Sequence, residues 1–425
     1  MTFKGNFCPS PWFHMRINSL GQFEYCRWAL RDTSSAVTGD PVTFFKKGMA
    51  PIRQLMVEGK EVPGCANCNL MNAHSKVSGR DRQLLKIGVR SDLYEKTFAS
   101  SPWLDEFKRT DHNDGIIDLM PQDWQIDLGN LCNSACIFCH PYSSSRLGVE
   151  WKKLGIVKNI NNSQWTNNPD TVATIIDTLI ASPRIAYIHF IGGELVINPA
   201  FKRILTALID AGLHEQISIG FTTGMTDWDD ELVESLTKFK EVNMGLSIEC
   251  LDPLNDYIRY PSTISSVKQI MDKWLAIAEQ YNWLTQLRIT PTILSIDRLI
   301  PLFDFALAKG TAIESCNFIS DPAFMSPAVL PPEYRAPIIK ELSEWLLQHE
   351  NQNQPAVINT RNPAASRQQV IEDAASYLHF LTNQPDESHL LPELVKRLKL
   401  LESNRSNSIL DYTPKYAQLF RDTGY

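Results

Sequence analysis

Between residues 120 and 320 short apolar runs alternate with longer stretches in which apolar positions recur every three to four residues. The short runs, at 124–128, 185–190, 217–221, 243–248, 286–290 and 313–319, read as strands. The intervening stretches, near 171–181, 199–212, 229–239, 262–280 and 297–309, read as helices. Strand and helix in strict alternation predict βα units and a parallel sheet. Ahead of this region, Phe13 to Cys26 reads as two short strands around a turn at Leu20-Gly21, followed by a helix from Val42 to Glu58. Beyond Pro331 the pattern is helical, with an apolar stripe through Ile338, Leu342 and Leu346. A polar stretch at 348–366 reads as a linker, and helices are expected near 367–381 and 390–402. The expected domains are therefore residues 1–85, a linker at 86–119, a central βα domain at 120–325 and a helical segment at 326–425.

Composition sharpens this only a little. The chain has 425 residues, 43% of them hydrophobic and 21% charged, enough for several domains with a sizeable core. No apolar run reaches the roughly eighteen residues of a membrane-spanning helix. The first residues lack the apolar core of a signal peptide. A cytoplasmic protein with reduced thiols is expected, with no membrane partner. The net charge of −7 argues against a nucleic-acid partner, which selects a basic surface.

The nine cysteines divide cleanly. Cys132, Cys136 and Cys139 lie in one run, Leu-Cys-Asn-Ser-Ala-Cys-Ile-Phe-Cys-His, between a strand and a Ser-rich helix start at Ser143 to Ser145. Three thiolates on one short loop can hold three irons of a four-iron cluster and leave the fourth iron open for chemistry. The alternatives are a zinc site with a fourth ligand such as His140, or inert thiols. This C-x3-C-x2-C pattern resembles the signature of the radical S-adenosylmethionine (radical SAM) superfamily. The resemblance implies a [4Fe-4S] cluster whose open iron takes S-adenosylmethionine (SAM). It also implies reductive cleavage of SAM to a 5′-deoxyadenosyl radical, with a reductant such as flavodoxin or ferredoxin. The fold it implies is α/β: a partial (β/α)6 TIM-like barrel, which the six βα units match.

Cys8, Cys26, Cys65 and Cys68 form a second set ending in a C-x2-C pair, complete for one metal or cluster. A hairpin at 13–26 would bring Cys8 near Cys26. Together with Pro11-Trp12 and Ser78-Gly-Arg80, this order is similar to the twitch or SPASM-type auxiliary domain of radical SAM enzymes, here ahead of the barrel. The resemblance implies a second [4Fe-4S] cluster; a structural zinc ribbon is the alternative.

Other candidate site residues lie where strands end, since chemistry in parallel barrels gathers there. Gly192, Gly193 and Glu194 close the second strand, and two glycines allow close approach of a ligand. In the family, a Gly-Gly-Glu stretch contacts the amino group of SAM. Thr222, Ser247, Glu249, Arg259 and Thr292 occupy positions that the resemblance assigns to the SAM ribose and carboxylate. Cys250 and Cys316 stand alone. Each is either a small buried apolar residue or a thiol that returns a hydrogen atom to a substrate radical, as in radical SAM peptide epimerases. By resemblance, the substrate is a ribosomally made precursor peptide, altered by excision, Cα epimerisation or crosslinking, with help from a separate small leader-binding protein. The rival expectations are a radical SAM enzyme acting on RNA, a metabolite or a protein side chain, and a non-catalytic metal scaffold.

Overall fold

The computed structural model describes residues 7–27, 29, 39–73, 78–86, 103–110, 114–160, 164–314, 319, 321–349 and 363–425. They divide into two compact units: Met1–Asn130, Ser163–Phe221 and Asp229–Val242 in one, and Leu131–Asn162, Thr222–Trp228 and Asn243–Tyr425 in the other.

The first unit carries β1 (His14–Ile17), β2 (Phe23–Glu24), β3 (Asp123–Asp127), β4 (Tyr187–Ile191) and β5 (Ser218–Thr223) in the order β2-β1-β3-β4-β5. The expected hairpin forms between β1 and β2. Gly21 takes φ +76° in its turn, and the Asn18 side chain accepts from the Leu20 and Gln22 N–H groups. Unexpectedly, β1 also pairs in parallel with β3. The reason is a matched alternation: Met15 and Ile17 lie beside Trp124 and Ile126, all buried, while His14 faces Asp123 with Nδ1 and Oδ1 3.0 Å apart.

Helices Pro169–Ile180 and Pro199–Asp210 open alike. Asn168 and Asn198 accept from first-turn N–H groups, and proline follows where no donor is needed. Each buries one apolar face, Val172, Ile175, Ile176 and Leu179 in the first and Phe201, Ile204, Leu205 and Leu208 in the second. At roughly 1.5–3 kcal/mol per buried side chain, either face outweighs its cap, worth about 1 kcal/mol.

The expected helix from Val42 to Glu58 is interrupted. It comprises Pro41–Thr43, a π-helical turn at Phe44–Gly48 and a helix at Ala50–Glu58. Pro51 has no N–H to continue the ladder. The fully buried Arg53 gathers backbone carbonyls around the break instead, donating to Phe45 O, to Lys46 O at 3.0 Å, to Gly115 O at 3.1 Å and to Pro11 O at 2.8 Å.

The second unit holds β6 (Glu241–Ser247), β7 (Leu284–Arg288) and β8 (Ala312–Glu314), all parallel. The sixth expected strand was to reach residue 319; β8 ends at Glu314, and residues 315–318 lie outside the described residues. Helices Pro332–His349, Pro363–Asn383 and Leu391–Glu402 follow, so helix reaches into both ends of the expected linker. The chain is thus α/β with a mostly parallel sheet and a helical C-terminal segment. Among the described residues, no helix is long and apolar enough to cross a membrane.

Candidate metal centre

The loop that leaves β3 is held from several sides. Helix Ser145–Lys153 begins at Ser144, whose hydroxyl accepts from Leu147 N–H at 3.1 Å and donates to Ser134 O. Cys132 N–H donates to Ser145 Oγ at 3.2 Å. Ala135 N–H donates to Tyr260 O at 2.7 Å and Ile137 N–H to Ile258 O at 2.9 Å, while Thr226 Oγ1 bonds Asn133 at 2.8 Å. These bonds hold Cys132, Cys136 and Cys139 on one short turn.

The Cys139 thiol is affected by both of its neighbours. Packing around Cys139 pushes its pKa up to about 12, with the charges of Cys136 and Cys132 adding to the rise. Burial raises Cys136 also, and the Arg259 guanidinium opposes this. Arg259 Nη1 lies 4.0 Å from Cys136 Sγ. Burial disfavours the Arg259 charge, yet Glu249 and Cys136 outweigh it and raise its pKa. Glu249 accepts from Arg259 Nη2 at 2.8 Å and Nε at 3.1 Å, and from Thr290 N–H at 2.7 Å. Burial lifts the Glu249 carboxyl and Arg259 lowers it. Glu249 and Arg259 therefore meet each other beneath the loop.

Three neighbouring thiols, of which burial makes Cys136 and Cys139 costly as thiolates, are a donor set that iron would neutralise. They fit a cluster with one open corner, held by Cys132, Cys136 and Cys139.

In the first unit, Gly192 (φ +110°) and Gly193 (φ +51°) follow β4. A Cβ on Gly192 would stand 2.5 Å from Asp127 Oδ1, 2.6 Å from Gly129 O and 2.9 Å from Leu128 N, so only glycine fits. Glu194 is buried and accepts from Val196 N–H at 3.3 Å. The end of β3 is fixed here as well: Trp165 Nε1 donates to Asp127 O at 2.8 Å and Leu128 N–H to Ile191 O at 2.8 Å.

The remaining expected residues separate. In the second unit, the Gly245 position leaves room for Arg288 and Thr222, since a Cβ there would lie 2.8 Å and 2.9 Å from their side chains. Ser247 is half-buried and paired in register with Arg288. Thr292 is buried, and its hydroxyl accepts from Leu294 N–H at 3.2 Å in a local turn. Cys250 is fully buried, its sulfur 3.6 Å from Asp252 Oδ1; burial and that carboxylate raise its pKa. Cys316 lies outside the described residues.

Cys8, Cys26, Cys65 and Cys68 come together around one small pocket, also lined by Tyr25, Met56 and Arg80. Burial raises Cys8 well above its ordinary value, and the Cys26, Cys65 and Cys68 charges add to this. Cys65 is raised by burial and lowered by Arg80, which hydrogen-bonds it. Among the described residues, no group of three or more His, Cys, Asp or Glu has the geometry to hold a metal ion. In type and number of donors alone, four thiols are the ligand set of a fully ligated four-iron cube.

Residues 126–278 match the family described as the Radical SAM superfamily. The chain carries a radical SAM domain. The match begins in β3 and takes in the cysteine loop, the Gly192-Gly193-Glu194 turn, Glu249 and Arg259. Among curated proteins the chain is similar to the sporulation killing factor maturation protein SkfB of Bacillus subtilis (strain 168), with 23% identity over 167 residues, or 38% of this chain and 36% of that protein. Among solved structures it is similar to Streptococcus suis SuiB bound to the precursor peptide SuiA (16% identity, 68% of this chain and 60% of that chain, TM-score 0.35). Another is anSMEcpe with bound AdoMet (16% identity, 56% and 64%, TM-score 0.39). The chain thus spans about a third of the curated relative (36%) and about three fifths of each solved one (60% and 64%).

Two features of the radical SAM domain's surroundings escaped the sequence. Asp123, Gln125 and Asp127 alternate with apolar residues along β3, with Tyr187 and His189 beside the first two on β4, and Arg27 Nη1 reaches His189 Nδ1 at 3.3 Å. The alternation was visible; that the polar positions face one another was not. Glu150 and Arg405 form a buried pair against the cysteine loop, 255 residues apart in the chain, and no local pattern marks them.

Proposed function

We propose that this chain is a radical SAM enzyme that modifies a ribosomally made precursor peptide. The observation that carries the reading is the set of three thiols on one braced loop inside the radical SAM match. Cys132, Cys136 and Cys139 would hold a [4Fe-4S] cluster, and Gly192, Gly193 and Glu194 would help hold SAM, together with Thr222, Ser247 and Thr292. When bound, the cluster and SAM supply a 5′-deoxyadenosyl radical able to take hydrogen from an unactivated C–H bond. The chain's own residues do the rest. Gly192 keeps the β3 end clear of side-chain bulk. Glu249 fixes Arg259 against Cys136, so a cation stays beside the thiolates. Cys136 is buried and Cys139 half-buried, so both thiols sit in a less polar setting than water.

The peptide substrate draws its support from the curated relative, named as the maturation protein of a killing factor. Cys8, Cys26, Cys65 and Cys68 would hold a second [4Fe-4S] cluster as an electron relay. An external one-electron donor of the flavodoxin or ferredoxin type and a small leader-binding protein complete the system. Reduced, anaerobically reconstituted protein should release 5′-deoxyadenosine from SAM. A short peptide encoded beside the gene, deuterated at its reacting carbon, should pass deuterium into that product. No 5′-deoxyadenosine would sink the enzyme reading, and unlabelled product alone would sink the peptide.

A further inference from the structure

We propose that Arg405, brought in by the C-terminal segment, is a positioning residue for the central cluster: it braces the Ala135–Cys136 backbone and keeps a second cation beside the three thiols. The inference rests on the reading that those thiols hold iron. Arg405 Nη2 donates to Ala135 O at 2.7 Å and to Glu150 Oε2 at 2.6 Å, and Nε donates to Glu150 Oε1 at 2.8 Å. Ala135 N–H is already committed to Tyr260 O at 2.7 Å. Both backbone polar groups of Ala135, the residue before Cys136, are therefore fixed, one by Tyr260 and one by the C-terminal segment. The guanidinium also stacks over the Tyr260 ring, 4.7 Å from its centre. Asn404 Nδ2 adds a bond to Glu150 Oε1 at 3.2 Å, which holds the carboxylate in place.

One nitrogen is left over. Arg405 Nη1 is buried and has no hydrogen-bond partner among the described residues. A buried N–H of a cation without an acceptor is costly. An anionic cluster beside it removes that cost. The Nη2 bond to Ala135 O sets the guanidinium one residue from Cys136. A cation close to a cluster favours the reduced, more negative form.

The test is an EPR-monitored redox titration of the full-length reconstituted protein, following the signal that changes when SAM is added. In Arg405→Gln the reduction equilibrium should fall about tenfold, equivalent to about 59 mV for one electron. Arg405→Lys should recover the wild-type value to within roughly threefold. Glu150→Gln, which leaves the cation without its counter-charge, should shift the equilibrium the other way. A mere brace has no reason to give opposite signs. An unchanged potential in Arg405→Gln, or shifts of one sign in both variants, would overturn the inference. Should Arg405→Gln fail to take up iron, Glu150→Gln decides alone: a potential equal to or below wild type overturns it. A wild-type protein with no SAM-responsive signal defeats the proposed function instead, which keeps the two failures apart.

Discussion

The two cysteine groups are built in opposite ways. Cys132, Cys136 and Cys139 come from a single loop, so sequence proximity alone assembles them, and the fold's task is to hold that loop still. It does so with Tyr260, Ile258, Thr226 and Arg405. Cys8, Cys26, Cys65 and Cys68 come from separate places along the first seventy residues and meet only because the β1–β2 hairpin and the broken helix fold around them. The local set offers three thiols, and the assembled one four. An open metal corner can bind and change a substrate, whereas a saturated one can only pass electrons or hold structure.

The largest expected effect separates these roles. Cys132→Ala should abolish 5′-deoxyadenosine formation and remove about half of roughly eight irons per chain. Cys65→Ala should lose a similar share of iron yet still cleave SAM, now uncoupled from peptide modification. Equal loss of SAM cleavage in both would erase the distinction. Next comes Gly192→Ala, whose methyl group meets backbone at 2.6 Å and 2.9 Å. It should weaken SAM binding at least about tenfold, roughly 1.4 kcal/mol, as read by calorimetry, while leaving the N-terminal iron in place.

Arg53 probes the assembled site alone. It donates to Pro11 O at 2.8 Å, and Pro11 lines the four-cysteine cavity. Arg53→Met strands several buried carbonyls and should cost about 3 kcal/mol in urea unfolding. Iron should be lost first from the N-terminal site, leaving SAM cleavage near wild type in the folded fraction.

A smaller effect follows from pH. The Cys139 thiol, near 9.0 when free, is pushed up to about 12 in the metal-free chain. The folded state therefore favours the neutral thiol. Its contribution is fully present below pH 9 and is lost as pH rises toward 12. The metal-free protein should unfold at progressively lower temperature across that window, and Cys139→Ser should flatten the dependence. The smallest effect is expected at Cys250, which has no exposed surface and lies against Asp252. Cys250→Ala and Cys316→Ala test the hydrogen-return idea: turnover intact in both would remove it.

The cysteine loop was legible because its three thiols and its flanking strand and helix are contiguous. The Gly-Gly-Glu turn was legible because only glycine allows the backbone that Asp127 and Gly129 leave there. What sequence could not convey depends on distant partners. Nothing in His14-Met15-Arg16-Ile17 tells that this strand lies parallel to β3 as well as in a hairpin. Pro51 hinted at the break in the Val42–Glu58 helix, but the four carbonyls gathered by Arg53 depend on tertiary packing. The Glu150–Arg405 pair spans most of the chain and left no trace in either local pattern.

Mössbauer and EPR spectroscopy of anaerobically reconstituted protein, with and without SAM, tests the difference between the two sites most directly. Two four-iron clusters are expected, of which one, lost in Cys132→Ala, changes its spectrum when SAM binds while the other does not. Zinc alone, or a central cluster indifferent to SAM, would contradict it.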